Sequence, residues 1–314
     1  MVKQILLILG IAIISESVNY TVSGGTIAVQ QHIAYSSFVQ GAGIVEAGPY
    51  YCSLGSSVRL QTACTKNPWL IYVPQLVQYA KERSADGTID PVSNLQNHPV
   101  FFFSGTLDAE VVQATTKAAQ TFYENFVSET SIFGLYTIPA NHAWVTTIEG
   151  NPCWYFGSPF INDCGTDLSG LIFHNVISKS SVIGAYDPNN LHLFDQSDYA
   201  DTWAAGISSR GYIYVPSHCK TDPTICHVHV NFHSCLQEYD RIGNVYVKSI
   251  GMVEWAEGSN IIVIFPQTVS SQHNRYACWD DWGYTGPDFA LKSGLQLSAV
   301  HNMTQNYIHI INSL

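Results

Sequence analysis

Val18-Asn19-Tyr20-Thr21-Val22-Ser23-Gly24-Gly25-Thr26-Ile27-Ala28-Val29 is the stretch whose reading decides the fold. Residues 18–22 are rich in β-branched and aromatic side chains, which suit a strand. Ser23-Gly24-Gly25 breaks that pattern, and residues 26–36 can then form a helix. A serine on so sharp a turn is lifted out of the sheet, with glycine two residues on where a side chain would clash. Strand, serine turn and helix form the latter part of the nucleophile elbow Gly-x-Ser-x-Gly, with Thr21 in place of the first glycine. Ser-Gly-Gly also occurs in ordinary loops, so the rest of the chain has to decide between the two readings.

Outward from this turn, residues 41–45 read as the next strand, and residues 70–83 carry apolar side chains near helical spacing. Pro99-Val100-Phe101-Phe102-Phe103 is a continuous apolar run stopped by Ser104-Gly105, as expected of a strand buried on both faces. Residues 110–127 place Val111, Val112, Ala118, Ala119, Phe122 and Phe126 on one side of a helix. Further strands are expected near 133–138, 212–215, 228–232 and 261–265. Strands separated by helices over most of the chain predict an α/β fold, a mostly parallel sheet flanked by helices. No linker divides residues 18–314, so one domain is expected.

Two further residues complete a constellation. Asp108 lies just past the buried run, at the carboxyl edge of the sheet where an acid would be presented. It can equally cap the helix that follows. His142, in Pro139-Ala140-Asn141-His142-Ala143-Trp144, follows the next strand, in the loop expected of a general base. As one of twelve histidines it can equally be structural. The chain order Ser23, Asp108, His142 is that of α/β-hydrolase triads. In such a triad His142 takes the proton of Ser23, while Asp108 holds the imidazole in the right tautomer. The developing oxyanion also needs backbone N–H donors. The nearest candidate is His233-Ser234-Cys235, at the exit of strand 228–232. It follows the triad instead of preceding the serine. A circular permutation, with the usual first strands moved behind residue 210, accounts for that order. Serine acyl transfer requires no cofactor and no metal.

Composition sets the surroundings. The 314 residues are 46% apolar and 12% aromatic, ample for a large core and against intrinsic disorder. Thirteen Lys and Arg against 24 Asp and Glu leave a net charge of −11, which argues against nucleic acid or anionic membrane as partner. Lys3, the apolar run 5–14 and Ser15-Glu16-Ser17 have the layout of a secretory signal peptide, so residues 1–17 are expected to be removed. A buried first strand is the other reading of that run. A secreted, extracellular protein follows, with Asn19 and Asn302 in glycosylation triplets, and a monomer is the expected assembly. Spacing pairs the eight cysteines as Cys52 with Cys64, Cys153 with Cys164 and Cys219 with Cys226, leaving Cys235 with Cys278. Cys219, Cys226, His227 and His229 can alternatively be read as a zinc site. An oxidising compartment favours disulfides.

The chain resembles the secreted poly(3-hydroxybutyrate) depolymerases of the circularly permuted type, over nearly the whole mature length. The resemblance runs through Ser23-Gly24-Gly25 with Ala28-Val29-Gln30, Ala34-Tyr35-Ser36-Ser37 and Gly48-Pro49-Tyr50-Tyr51-Cys52. It continues in Ser104-Gly105-Thr106-Leu107-Asp108, His142-Ala143-Trp144 and Gly157-Ser158-Pro159-Phe160-Ile161-Asn162. Tyr214-Val215-Pro216, His233 with Cys235-Leu236-Gln237, and Cys278-Trp279-Asp280 before Trp282-Gly283-Tyr284-Thr285-Gly286 extend it to the last third. The resemblance implies a serine esterase acting on hydroxyalkanoate polyester or short esters, with Asp108 and His142 as acid and base. It implies the Cys235 N–H as one oxyanion donor, with Gly24 as the other where a shifted turn lets Ser23 serve, and Trp279 and Trp282 as substrate-facing aromatics. Core packing is the other reading of those two tryptophans. Two positions depart from the family. Anchoring on Gly24-Gly25 puts Val22 where the family has its nucleophilic serine, so Ser23 serves only if the turn moves by one residue. Ser234 stands where the family has glycine. A non-catalytic binding protein of the same fold, or an esterase for acylated polysaccharide, are the alternative functions.

Overall fold

The computed structural model describes residues 18–147 and 149–314. The expected signal peptide lies outside the described residues. Eleven strands are present among them: β1 Tyr20–Gly24, β2 Val39–Val45, β3 Val100–Phe103, β4 Ile132–Leu135, β5 Trp144–Thr146, β6 Asn151–Pro152, β7 Ile161–Asp163, β8 Leu191–Asp195, β9 Arg210–Tyr214, β10 His227–Asn231 and β11 Ile261–Phe265. The main sheet has the order β4-β3-β2-β1-β10-β11-β9-β8, and β5, β7 and β6 form a small second sheet. From β4 to β11 the pairings are parallel; β9 and β8 join antiparallel. The mostly parallel sheet of the sequence reading is therefore correct, with an antiparallel edge it did not foresee.

Burial on both faces explains the apolar runs. Val100, Phe101, Phe102 and Phe103 are all buried, as are all five residues of β11. One face packs on the helices Thr26–Ala34, Val73–Ala85, Gln113–Tyr123 and Leu295–Gln305, through Val22, Ile27, Val29, Leu76, Phe122, Val230 and Leu297. The other packs on residues 168–177 and the helix Met252–Ser259, through Phe103, Phe173, Val253 and Val263. Parallel strands with helices on both faces require such two-sided cores.

The helix expected from residue 110 starts only at Gln113. One carboxylate oxygen of Asp108 accepts from the N–H groups of both Glu110 and Val111, which holds a separate turn there, and Val112 is extended. Asp108 thus caps a turn and not the helix itself. All four cysteine pairs form as the spacing indicates: Cys52–Cys64, Cys153–Cys164, Cys219–Cys226 and Cys235–Cys278. The zinc reading of Cys219, Cys226, His227 and His229 is overturned, because both thiols are in a disulfide and both ring nitrogens of His229 are hydrogen-bonded elsewhere.

Candidate active site

The site is assembled where β1, β2, β3 and β10 end. Gly105 packs so tightly on Ala140 that a Cβ there would collide with its carbonyl. The N–H of Thr106 donates to Ile138 at 2.8 Å and that of Leu107 to Ala140 at 3.0 Å. These contacts pin the loop after β3 to the loop after β4, and so bring Asp108 to His142. Nδ1 of His142 lies 2.9 Å from Asp108 Oδ2, while the other Asp108 oxygen stays tied to the backbone. An acid fixed from behind and a histidine fixed by the acid are the geometry that the second and third members of a triad require.

A third group enters that sequence reasoning did not single out. Glu46, the residue following β2, places Oε2 3.0 Å from the same His142 nitrogen. Burial pushes its carboxyl up to about 7. Burial alone would push the His142 imidazole down, but the charges of Glu46 and Asp108 hold it well above its ordinary value. The three ligating atoms are close enough to face one metal ion. Their separations of 2.9 and 3.0 Å from Nδ1 are hydrogen-bond distances. Bonds of about 2.0–2.1 Å in a tetrahedral zinc site would spread the ligands to about 3.3 Å, so a shared proton fits better.

Ser23 stands elsewhere than the sequence reading places it. It belongs to β1, paired with Asn231 of β10 and Gly43 of β2, and is fully buried. Its Oγ accepts from Asn231 Nδ2 at 2.8 Å and lies 2.7 Å from His229 Nε2, while His229 Nδ1 lies 2.7 Å from Thr21 Oγ1. The two ring nitrogens of His229 thus bridge two hydroxyls, Thr21 on Nδ1 and Ser23 on Nε2. Burial depresses the His229 pKa to about 3, so this imidazole stays neutral. The serine is a satisfied wall group and has no hydrogen bond to His142. The turn residue is Gly24, at φ 138°, and Gly25 caps the helix. Val22 is core, packed on the opposite face of the sheet. Neither residue offered for the nucleophile therefore occupies the turn.

The oxyanion candidates fare differently. Because Gly24 occupies the turn, Gly25 and not Gly24 now supplies the N–H that follows it. Among the described residues neither the Gly25 nor the Cys235 N–H has a protein acceptor. The loop holding Cys235 is braced: His233 Nδ1 donates to Ser234 O at 2.7 Å, and Ser234 N–H donates to Gln237 at 2.8 Å. Ser234 is exposed, so its side chain leaves the loop interior free. Trp279 is core: 4% exposed, edge-on to Phe232 at 5.1 Å and against His233 at 5.6 Å. It supports the loop from behind and does not face substrate. Trp282 is half-buried against Tyr284, on a turn whose four N–H groups converge on Asp280.

The apolar surface beside His142 comes from residues the sequence reading passed over. Trp154, Tyr155 and Phe156 are exposed in the loop closed by Cys153–Cys164, and Leu107 is exposed next to Asp108. Asn141 ties this loop to His142, its N–H donating to Cys153 and its amide to Trp154. The Phe156 ring centre lies 6.5 Å from that of His142.

No family model matches the chain. Over 285 residues it is 37% identical to a poly(3-hydroxybutyrate) depolymerase from Delftia acidovorans, a match covering 90% of this chain and 57% of that protein. The chain is similar to poly(3-hydroxybutyrate) depolymerases along most of its own length. It spans little more than half the length of the Delftia depolymerase. A polyhydroxybutyrate depolymerase from Talaromyces funiculosus is 28% identical over 306 residues, covering 91% of this chain and 87% of that one. Two solved depolymerase structures share the α/β-hydrolase fold at 24% identity. One, complexed with an R3HB trimer, has a TM-score of 0.84 and covers 95% of this chain and 98% of its own. The other, from Penicillium funiculosum, has a TM-score of 0.82 and covers 92% and 96%.

Proposed function

We propose that this chain takes poly(3-hydroxybutyrate) or short hydroxyalkanoate esters at the site over His142, and hydrolyses them only at the residual rate of a triad without its serine. The similarity to these depolymerases supports the substrate class. Asp108 and His142 stand where the acid and the histidine of a triad would stand, and the Gly25 and Cys235 N–H groups are the oxyanion donors. The exposed Leu107, Trp154, Tyr155 and Phe156 offer an apolar polyester a place to rest. The observation that carries the reading is the 2.7 Å bond of Ser23 Oγ to His229 Nε2, inside the sheet and one residue before the turn. A triad lacking one member keeps about 10³–10⁴-fold of catalysis over water, from binding and the oxyanion hole.

Labelling with a fluorophosphonate and release of 3-hydroxybutyrate from its trimer test this. The wild type is expected to remain unlabelled and to turn over slowly. Ser23→Ala is expected to leave that rate unchanged while costing about 1–3 kcal/mol of stability, because His229 and Asn231 lose a buried partner. Stoichiometric label lost in Ser23→Ala would instead establish the second reading, a full serine esterase. That reading is favoured by the assembled Asp108–His142 pair and requires Ser23 to leave β1. Acetate release from acetylated xylan would redirect either reading to acylated polysaccharide.

The four disulfides support secretion after removal of residues 1–17, and no helix among the described residues is long and apolar enough to cross a membrane. Asn19 and Asn302 are exposed, as glycosylation requires. The sheet order, with β8 to β11 late in the chain, supports circular permutation. A monomer is the assembly we assign.

A further inference from the structure

Glu46 is the group that the acid–base pair leaves unexplained. It sits at φ 50° just past β2, a left-handed conformation that a glutamate rarely adopts. Its side chain is 4% exposed. Oε2 reaches His142 Nδ1, and Oε1 is buried with no hydrogen-bond partner. A neutral imidazole offers one Nδ1–H, and Asp108 alone suffices to fix the tautomer. A second buried carboxylate on that nitrogen would leave two negative charges beside a neutral ring. Such a site takes up a proton to relieve the burial of like charges.

We propose that Glu46 is a positioning residue that holds His142 as an imidazolium, so that Nε2 presents a proton and not a lone pair to the bound ester. The inference rests on the reading that hydroxyalkanoate esters are the ligands of this site. It turns the general base into a hydrogen-bond donor. A donor of that charge suits an ester carbonyl, and suits still better the free carboxylate at the end of a hydroxy-acid oligomer, through a charge-assisted bond. It also agrees with a turn that carries no nucleophile for a base to activate. Glu46 from the end of β2 and Asp108 from the loop after β3 are the charged groups acting on His142. The loop after β6 contributes the Phe156 ring, which carries no charge.

The test is a pH titration of the His142 ring followed by NMR, in the full secreted chain and in Glu46→Gln. The wild-type ring is expected to titrate above the ordinary imidazole range, and the variant at least one pH unit lower than the wild type. Glu46→Ala, which removes the carboxylate altogether, is expected to lower the midpoint by the same route, so a misfolded Gln variant does not decide the outcome. Calorimetry with the linear (R)-3-hydroxybutyrate trimer is expected to show binding at least 10-fold weaker in Glu46→Gln. A His142 midpoint near its ordinary value in the wild type, or unmoved in both variants, overturns the role of Glu46. A lowered midpoint with no trimer binding to the wild type leaves Glu46 in place and instead overturns the assigned ligand class.

Discussion

Breaking the Cys235–Cys278 bridge with Cys235→Ser and Cys278→Ser is expected to lower the unfolding free energy by about 4 kcal/mol, read as a shift of the urea midpoint. The bridge closes 43 residues of chain, whereas the other three close 12, 11 and 7. Loop-closure entropy rises with loop length, so each short bridge should be worth about 2–3 kcal/mol. The long bridge also joins the oxyanion loop to the segment carrying Trp279, which packs on Phe232 and His233. Its loss should therefore loosen that loop as well as destabilise the chain. Double serine variants at the other pairs are the comparison. A shift no larger than theirs would show that chain entropy does not govern the difference.

Gly24→Val is expected to cost about 2–6 kcal/mol, the sum of backbone strain and overpacking. Gly24 has φ 138°, a conformation closed to β-branched residues, and a Cβ there would lie 2.8 Å from the Phe232 carbonyl and 2.9 Å from its Cβ. Gly25 is the control, because a Cβ at that position meets nothing within 4 Å. Gly25→Ala should therefore stay within about 1 kcal/mol of the wild type. Thermal or urea unfolding of the two variants side by side checks the contrast. Equal stabilities would mean that the turn relaxes away from β10.

The legible parts of this molecule were those decided by local pattern. Phe101, Phe102 and Phe103 announce a strand buried on both faces whatever surrounds it. Short cysteine spacings announced their bridges. Asp108 and His142 follow successive strands, so a parallel sheet brings their loops together at one edge. Ser23 could not be placed that way. Side chains alternate along a strand, so ending β1 one residue later turns the serine from the edge into the wall. That end is set by pairing with Ile44 and Asn231, which lie far along the chain. Glu46 offered a faint signal, a lone acid in the apolar stretch from Ala42 to Ala47, but its partner is two strands away. Trp279 illustrates the opposite error, because an aromatic beside a site in sequence can lie behind it in space.

The pairing of β1 with β10 has a consequence for how the protein is made. Strands β2, β3 and β4 lie on one side of that seam and β11, β9 and β8 on the other. Ser23, His229 and Asn231 lace the seam with side-chain bonds across more than 200 residues of sequence. During synthesis the first four strands emerge early, but the open edge of β1 has no partner until β10 has left the ribosome. An unpaired parallel edge invites pairing with other chains, and so distant a contact closes slowly. Aggregation in the time before the seam closes is thus the expected weak point in this chain's biogenesis.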